Sequence, residues 1–242
     1  MTQPPLIAGF YRAPFPAAAP GLPLVEMAPA GAGQELAAIG FALGWTLGRA
    51  QGAAAQGRLL FWAAPEASLA EHGAPYAEGL AQFGLDLGAC LIARTRAQID
   101  ALWAAEQALT LPGAFVLCTV APALKPLELI ATRRLFLAAK KYKSCCVIIR
   151  LDAGRASAAQ LRWEVSSAPA ESSAYGLGAP AFDVRLVRNR AGPAGQGWRL
   201  QWCADEYAFK TVVRPLDVCP LDGGVPAIPD DRPAEAHWRR AG

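Results

Sequence analysis

Five short apolar runs, alternating with stretches of helical spacing, constrain this chain more than any other feature of its sequence. The runs are Leu24-Val25-Glu26-Met27, Leu59-Leu60-Phe61-Trp62, Leu91-Ile92-Ala93, Phe115-Val116-Leu117-Cys118 and Cys145 to Leu151. Helical spacing runs from about Gln34 to Arg49, Ala97 to Leu109 and Pro126 to Lys141. Near-continuous apolar strands leave no face for water, so they predict an α/β domain with a parallel sheet covered on both sides by helices. Beyond Arg155 the period drops to two. Leu161, Trp163 and Val165 alternate with Arg162 and Glu164, Phe182, Val184 and Leu186 with Asp183 and Arg185, and Trp198, Leu200 and Trp202 with Arg199 and Gln201. That pattern predicts half-buried antiparallel strands. A hairpin between the last two is indicated by Gly192, Pro193, Gly195 and Gly197.

At 242 residues the chain fits one large domain. The boundaries read as a proline-rich extended leader over 1–23, a domain over 24–212, and a flexible tail over 213–242 rich in Pro, Asp and Gly. Charged residues are only 18% and hydrophobic residues 53%, which predicts apolar surface hidden against a partner, although much of the 53% is alanine. A net charge of +3 is too mild to announce nucleic-acid binding by itself. No apolar run approaches the roughly 18 residues of a membrane span, and no signal sequence is visible, so membrane insertion and export are disfavoured. The six cysteines form no C-x-x-C pair, and only His72 and His237 could assist them, so no metal site is expected. Cys118, Cys145 and Cys146 sit in core-strand runs, which fits small apolar side chains in a reducing cytoplasm.

Between the first strand and first helix lies Gly31-Ala32-Gly33, the place where phosphate-loop proteins point amides and a helix N-terminus at an anion. A working loop ends in Gly-Lys-Ser/Thr; here the residues are Gly33-Gln34-Glu35. The lysine that meets phosphate is missing, and no hydroxyl is left for Mg²⁺. A carboxylate at Glu35 would repel a phosphate by roughly 4 kcal/mol per unit-charge pair at 4 Å and a dielectric of 20. The next basic residue on the helix, Arg49, lies about 15 residues, or roughly 22 Å, further on. Gly31, Gly33 and Leu36 also brush against the dinucleotide fingerprint, but Leu36 in the third glycine position is expected to crowd the helix against the sheet. The simplest reading is a tight turn and a non-functional phosphate loop.

The run ending Cys118-Thr119-Val120 stands where an acidic residue would orient Mg²⁺, and it has none. One acid survives, Glu66, four residues past the second strand, in the region where a water-polarising glutamate would act. With its counterparts gone, a solvated loop glutamate is the plainer reading. No cofactor and no catalysis are therefore expected.

The segment Ala63-Ala64-Pro65-Glu66, then Tyr76-Ala77-Glu78-Gly79-Leu80-Ala81-Gln82-Phe83-Gly84-Leu85-Asp86, resembles the ImuA family. The order continues through Ile92-Ala93-Arg94, the helix Asp100 to Leu109 with its Leu-Trp-Ala-x-Glu phrase, and Thr132-Arg133-Arg134-Leu135-Phe136-Leu137-Ala138-Ala139. The resemblance runs from about Leu24 to Thr211. It implies a RecA-like, P-loop-type core with C-terminal antiparallel strands. It also implies an SOS-induced role in translesion synthesis beside an ImuB-like Y-family polymerase homologue and an error-prone C-family polymerase, with RecA as a further partner. SulA-like division inhibitors are the nearest competing resemblance. The same residues also fit an ATPase completed by a partner, or a stand-alone DNA-binding module.

The densest charge is Arg133, Arg134, Lys140, Lys141 and Lys143, along one helix and its exit. Arg133 and Lys140 share a face and Arg134 and Lys141 the adjoining one, so the patch could follow a DNA backbone or meet an acidic partner. Cations also suit a helix C-terminus for dipole reasons alone. Arg162, Arg185 and Arg199 fall on the polar side of the C-terminal strands and are expected to form an arginine-bearing surface. In the tail, Trp238, Arg239 and Arg240 have the composition of a binding hot spot.

Overall fold

Hydrogen bonding joins the strands into a single nine-stranded sheet with the order β3-β2-β4-β5-β1-β6-β7-β8-β9. The computed structural model describes residues 22–52, 59–121, 127, 129–151, 157–170 and 178–212. The leader up to residue 21 and the tail from 213, with Trp238, Arg239 and Arg240, lie outside them. The strands are β1 (Leu24–Pro29), β2 (Leu60–Pro65), β3 (Cys90–Thr95), β4 (Phe115–Val120), β5 (Cys145–Arg150), β6 (Leu161–Ala168), β7 (Ala181–Asn189), β8 (Gly197–Cys203) and β9 (Ala208–Thr211). The helices are α1 (Glu35–Gly52), α2 (Glu66–His72), α3 (Ala77–Gln82), α4 (Gln98–Ala108) and α5 (Leu129–Tyr142).

All five apolar runs are strands, paired in parallel as expected. The alternating segments pair antiparallel, β6 with β7, β7 with β8 and β8 with β9. One expectation needs correction: β6 is not purely antiparallel, because its other edge pairs in parallel with β1, Val25 opposite Leu161 and Met27 opposite Trp163. β6 is thus the seam between the two halves of the sheet. The period of two is still correct, since it reports burial of one face and not the direction of the neighbour.

Each side of the sheet has its own core. On one side α1 packs Phe41, Leu43 and Trp45 against Trp163, Phe182 and Trp202. Phe41 meets Trp163 and Phe182 edge-on at 5.9 and 5.8 Å, and Trp202 donates its indole N–H to the Phe83 carbonyl at 2.9 Å. The helix sits close to the antiparallel strands because Gly44 and Gly48 face them. A Cβ would lie 2.8 Å from the Phe209 ring at Gly44 and 2.8 Å from the Tyr207 carbonyl oxygen at Gly48. On the other side α4 and α5 bury Ala101, Ala105, Leu135 and Ala139 against Val116, Cys118 and Ile148. Burial pushes the Cys118 thiol up to about 12 and Cys145 to about 11, with Arg49 pulling the latter partly back. These side chains are neutral, small hydrophobes at any ordinary pH.

At the centre of the sheet the apolar pattern is broken by Glu26, completely buried on β1. One of its carboxylate oxygens accepts from Nε and Nη2 of Arg162 at 2.8 and 2.7 Å, and the other lies 3.5 Å from Nη1 of Arg150. Arg150 is as buried as the glutamate. Because removing one member of a buried ion pair leaves an uncompensated charge, Glu26→Ala is expected to lower folding stability by about 3 to 5 kcal/mol. Arg185→Ala, which breaks an exposed pair, should cost less than about 1 kcal/mol in the same urea titration.

Candidate functional site

β1 ends at Pro29 and the chain turns through Gly31, Ala32 and Gly33 into α1. The Ala30 N–H donates to the Val165 carbonyl at 2.8 Å, so the turn is tied to the β6 seam. Gly33 has φ +79°, a conformation that favours glycine, and all three loop residues are exposed. Gln34 stands at the lysine position. Its side-chain oxygen accepts from the Ser167 N–H at 2.8 Å and the Ser167 hydroxyl at 3.0 Å. The side chain therefore spans to β6, and the turn is held as a clamp between α1 and the sheet. Glu35 opens the first turn of α1, where the helix dipole favours a carboxylate. Leu36 does not crowd the sheet as the dinucleotide fingerprint predicts: it is 64% exposed, because the inward positions of the first turns are Ala37, Ala38 and Phe41. Arg49, at the far end, has its guanidinium carbon 4.7 Å over the Trp45 ring.

The other members of a nucleotide site can be followed in the same way. β2 runs on to Pro65, so Glu66 does not lie four residues beyond the strand but directly follows it, as the exposed first residue of α2. At the tip of β4, Thr119 is buried and its hydroxyl accepts from the Trp62 indole N–H at 3.0 Å. Gln98 closes over the strand end, accepting from the Ala121 N–H at 3.0 Å. Beside Thr119 is a cavity of about 170 Å³ lined mainly by apolar groups, among them Leu36, Ile39, Trp62 and Leu69, with His72 at its wall. None of its lining residues is a carboxylate, a lysine or an arginine.

The basic residues fall into two different environments. On α5, Arg133, Lys140 and Lys141 are exposed on the outer surface, and Lys143 follows the helix with φ 55°. Arg134 is engaged: its Nε and Nη2 donate to the two carboxylate oxygens of Glu106 on α4 at 3.2 and 2.6 Å. The expected arginine surface on the C-terminal strands is a set of ion pairs. Arg162 is drawn inward onto Glu26, Arg185 pairs with its cross-strand neighbour Glu164, and Arg199 clasps Asp183 with two bonds of 2.7 Å. The polar positions alternate acid with base, so the face carries much less free charge than the arginines alone predict. Glu164 and Asp183, on the same alternation, are the signal for this in the sequence.

An outward apolar set on α4 and α5 escapes the sequence reasoning. The inner face of α4 is Ala101, Ala105 and Ala108, which puts Ile99 and Trp103 outside, 68% and 61% exposed. Ile130 and Leu137 project likewise from α5, whose inner face is Thr132, Leu135 and Ala139. The helical spacing of the buried alanines is the signal that places Trp103 outward. No cluster of three or more potential metal-ligating residues occurs among the described residues. No described helix is long and apolar enough to cross a membrane.

No family model matches the chain. Among curated proteins it is 34% identical over 159 residues to Protein ImuA of Caulobacter vibrioides, in strains NA1000 / CB15N and ATCC 19089 / CIP 103742 / CB 15. The matched region is 60% of this chain and 61% of those proteins, so the chain spans less than two thirds of the length of the curated relatives it matches. Among solved structures, the RadB recombinase superposes with a TM-score of 0.54 at 15% identity, over 81% of this chain and 92% of that one. That likeness establishes the expected RecA-like fold, with a mostly parallel sheet flanked by helices and extended by antiparallel strands. SulA from Pseudomonas aeruginosa superposes with a TM-score of only 0.39 over 54% of this chain, too little to carry an argument.

If the turn is held by the Gln34 bonds and the backbone of Gly33, Gln34→Ala should lower stability by about 1 kcal/mol. Gly33→Ala should cost about 1 to 2 kcal/mol for its left-handed backbone. Gly31→Ala, where a Cβ meets nothing within 4 Å, should be close to neutral in the same denaturation series.

Proposed function

We propose that this chain, a relative of Protein ImuA with a RecA-like fold, is a non-catalytic adaptor in DNA-damage-induced translesion synthesis. In this reading it works in the cytoplasm as part of the SOS response, beside an ImuB-like Y-family polymerase homologue and an error-prone C-family polymerase, with RecA as a further contact. The observation that carries the reading is the condition of the strand-to-helix turn. Where a RecA-like ATPase needs a lysine, Gln34 is bonded to Ser167; where it needs an acid at the end of β4, Thr119 is bonded to Trp62. Both groups are committed to holding the fold, and Glu66 is left without the lysine and the acid it would act beside. Kinship with Protein ImuA supports the pathway, and the α5 cations with the neighbouring apolar face offer surface for contacts.

Three measurements test it. The purified chain should turn over ATP no faster than a buffer blank with or without DNA, and Glu66→Gln should change nothing. Turnover lost on substituting both Gly31 and Gly33 would show a working loop of another kind. Tagged chain recovered from DNA-damaged cells that carry its gene should bring down the polymerase partners, and deleting the gene should lower damage-induced mutation frequency. Recovery of a tubulin-like division protein in their place would overturn the adaptor reading.

A further inference from the structure

The outer faces of α4 and α5 lie on the side of the sheet opposite α1 and the clamped turn, joined by the Arg134–Glu106 ion pair. Ile99 and Trp103 project from α4, Ile130 and Leu137 from α5. Between the helices lies a shallow groove of about 170 Å³ whose walls include Leu102, Ala131 and Leu135. Ile130 and Leu137 are two turns apart on one face, flanked by Arg133 and Lys140 on one side and by Arg134 and Lys141 on the other. The result is an apolar line between two rows of cations.

We propose that this surface binds an acidic amphipathic helix of a partner protein, a deepening of the adaptor reading that rests on it. Charge complementarity selects this occupant. Against Arg133, Arg134, Lys140, Lys141 and Lys143, the described residues of α4 and α5 carry two carboxylates, Asp100 and Glu106, and Glu106 is already taken up by Arg134. Arg133, Lys140 and Lys143 have no ion pair among the described residues, and Lys141 has only the Tyr142 ring, 5.0 Å away. Lys143 holds a left-handed backbone that glycine would adopt at lower cost, which keeps a cation at the end of the row. A nucleic-acid backbone would satisfy the cations and leave Ile130, Leu137 and Ile99 bare. A helix with apolar residues at i, i+3 or i+4 and i+7 covers those side chains while its flanking carboxylates meet the cations. Trp103, large and rigid, is suited to fill a gap between partner side chains.

The test is selection of a display library of short randomised helices on the full chain. Enriched sequences should be acidic, with apolar residues at helical spacing. Trp103→Ala should weaken their binding about tenfold or more. Lys140→Glu with Lys141→Glu should weaken it as well, and by less at high salt. All three positions are exposed, so these variants should keep the parent circular dichroism and melting curve; Ile99→Ser gives a second apolar probe. Enrichment of basic or neutral sequences, indifference to the substitutions, or no enrichment would overturn the proposal. So would oligo(dT) binding lost through the same substitutions in the absence of acidic peptides, which would mark a nucleic-acid surface, or a dimer dispersed by Trp103→Ala. The adaptor reading fails separately. If the Trp103→Ala chain recovers the polymerase partners undiminished, this surface is wrong and the adaptor stands. If the unsubstituted chain recovers none, the adaptor is wrong and the library still decides the surface.

Discussion

The central strand β1 is joined to β5 on one edge and β6 on the other, and everything else in the sheet is added outward from that three-strand unit. Its buried carboxylate, Glu26, reaches across both joints, toward Arg150 on β5 and to Arg162 on β6. Placing one acid between two guanidiniums in the interior is costly unless the geometry is well matched, since desolvation opposes the Coulomb attraction. That cost restricts the register. A one-residue slip of β6 would move Arg162 to the opposite face, and Trp163 with it, out of the aromatic core around Phe41. The ion pair and the aromatic core therefore enforce the same alignment from opposite sides of the sheet, at the seam where the parallel half meets the antiparallel one.

What the sequence shows directly is what depends on local periodicity. The five apolar runs and the three alternating strands can be read because each segment reports its own burial. The joint at β1 and β6 cannot, because whether a half-buried strand has a parallel or antiparallel neighbour leaves no mark in its own pattern. β9, with only Ala208 to Thr211, is too short to have a period. The ion pairs are hidden for a related reason: Glu26 and Arg162 are 136 positions apart, so reading either alone gives a broken strand or a surface arginine. The candidate site is legible in what the turn lacks, since Gln34 and Thr119 are visibly not a lysine and an acid. What those residues do in its place depends on Ser167 and Trp62, which the fold brings to them. Trp103 is hidden when α4 is read as a phrase of residues, and emerges only from the spacing of Ala101, Ala105 and Ala108.

The strand-to-helix turn is under a structural constraint of its own. Ala30 bonds to Val165 and Gln34 to Ser167, two residues apart on β6, so the turn grips the same strand at successive points on its edge. α1, which begins there, is held at its far end by close contact of Gly48 with the Tyr207 backbone, near β9. A helix fastened at both ends to the antiparallel half, and lying across the parallel half, binds the two into one body. Gln34 contributes to that fastening through a neutral amide that a lysine could not reproduce, because an ammonium donates and cannot accept the Ser167 N–H and hydroxyl bonds. A lysine at this position would lose both bonds to Ser167.

The two faces of the sheet consequently differ in what they can do. On the α1 side, helix, turn and aromatic side chains are committed to one another, and movement there would strain the seam. On the other side, α4 rests on the sheet through Ala101 and Ala105 and α5 through Thr132, Leu135 and Ala139, while Trp103, Ile99, Ile130 and Leu137 are left outside. Large side chains placed outward add little to folding and expose apolar surface to water, while the small-residue inner face of α4 is enough to seat that helix. A chain rich in alanine can thus seat α4 closely and present Trp103 and Ile99 on α4 beside Ile130 and Leu137, which lie between the cations of α5. The rigid half fixes the position of those side chains, which reduces the ordering entropy that a partner must overcome on binding. A RecA-like scaffold whose strand-to-helix turn is latched to β6 is well suited to that use, because the latch holds the sheet beneath the surface still.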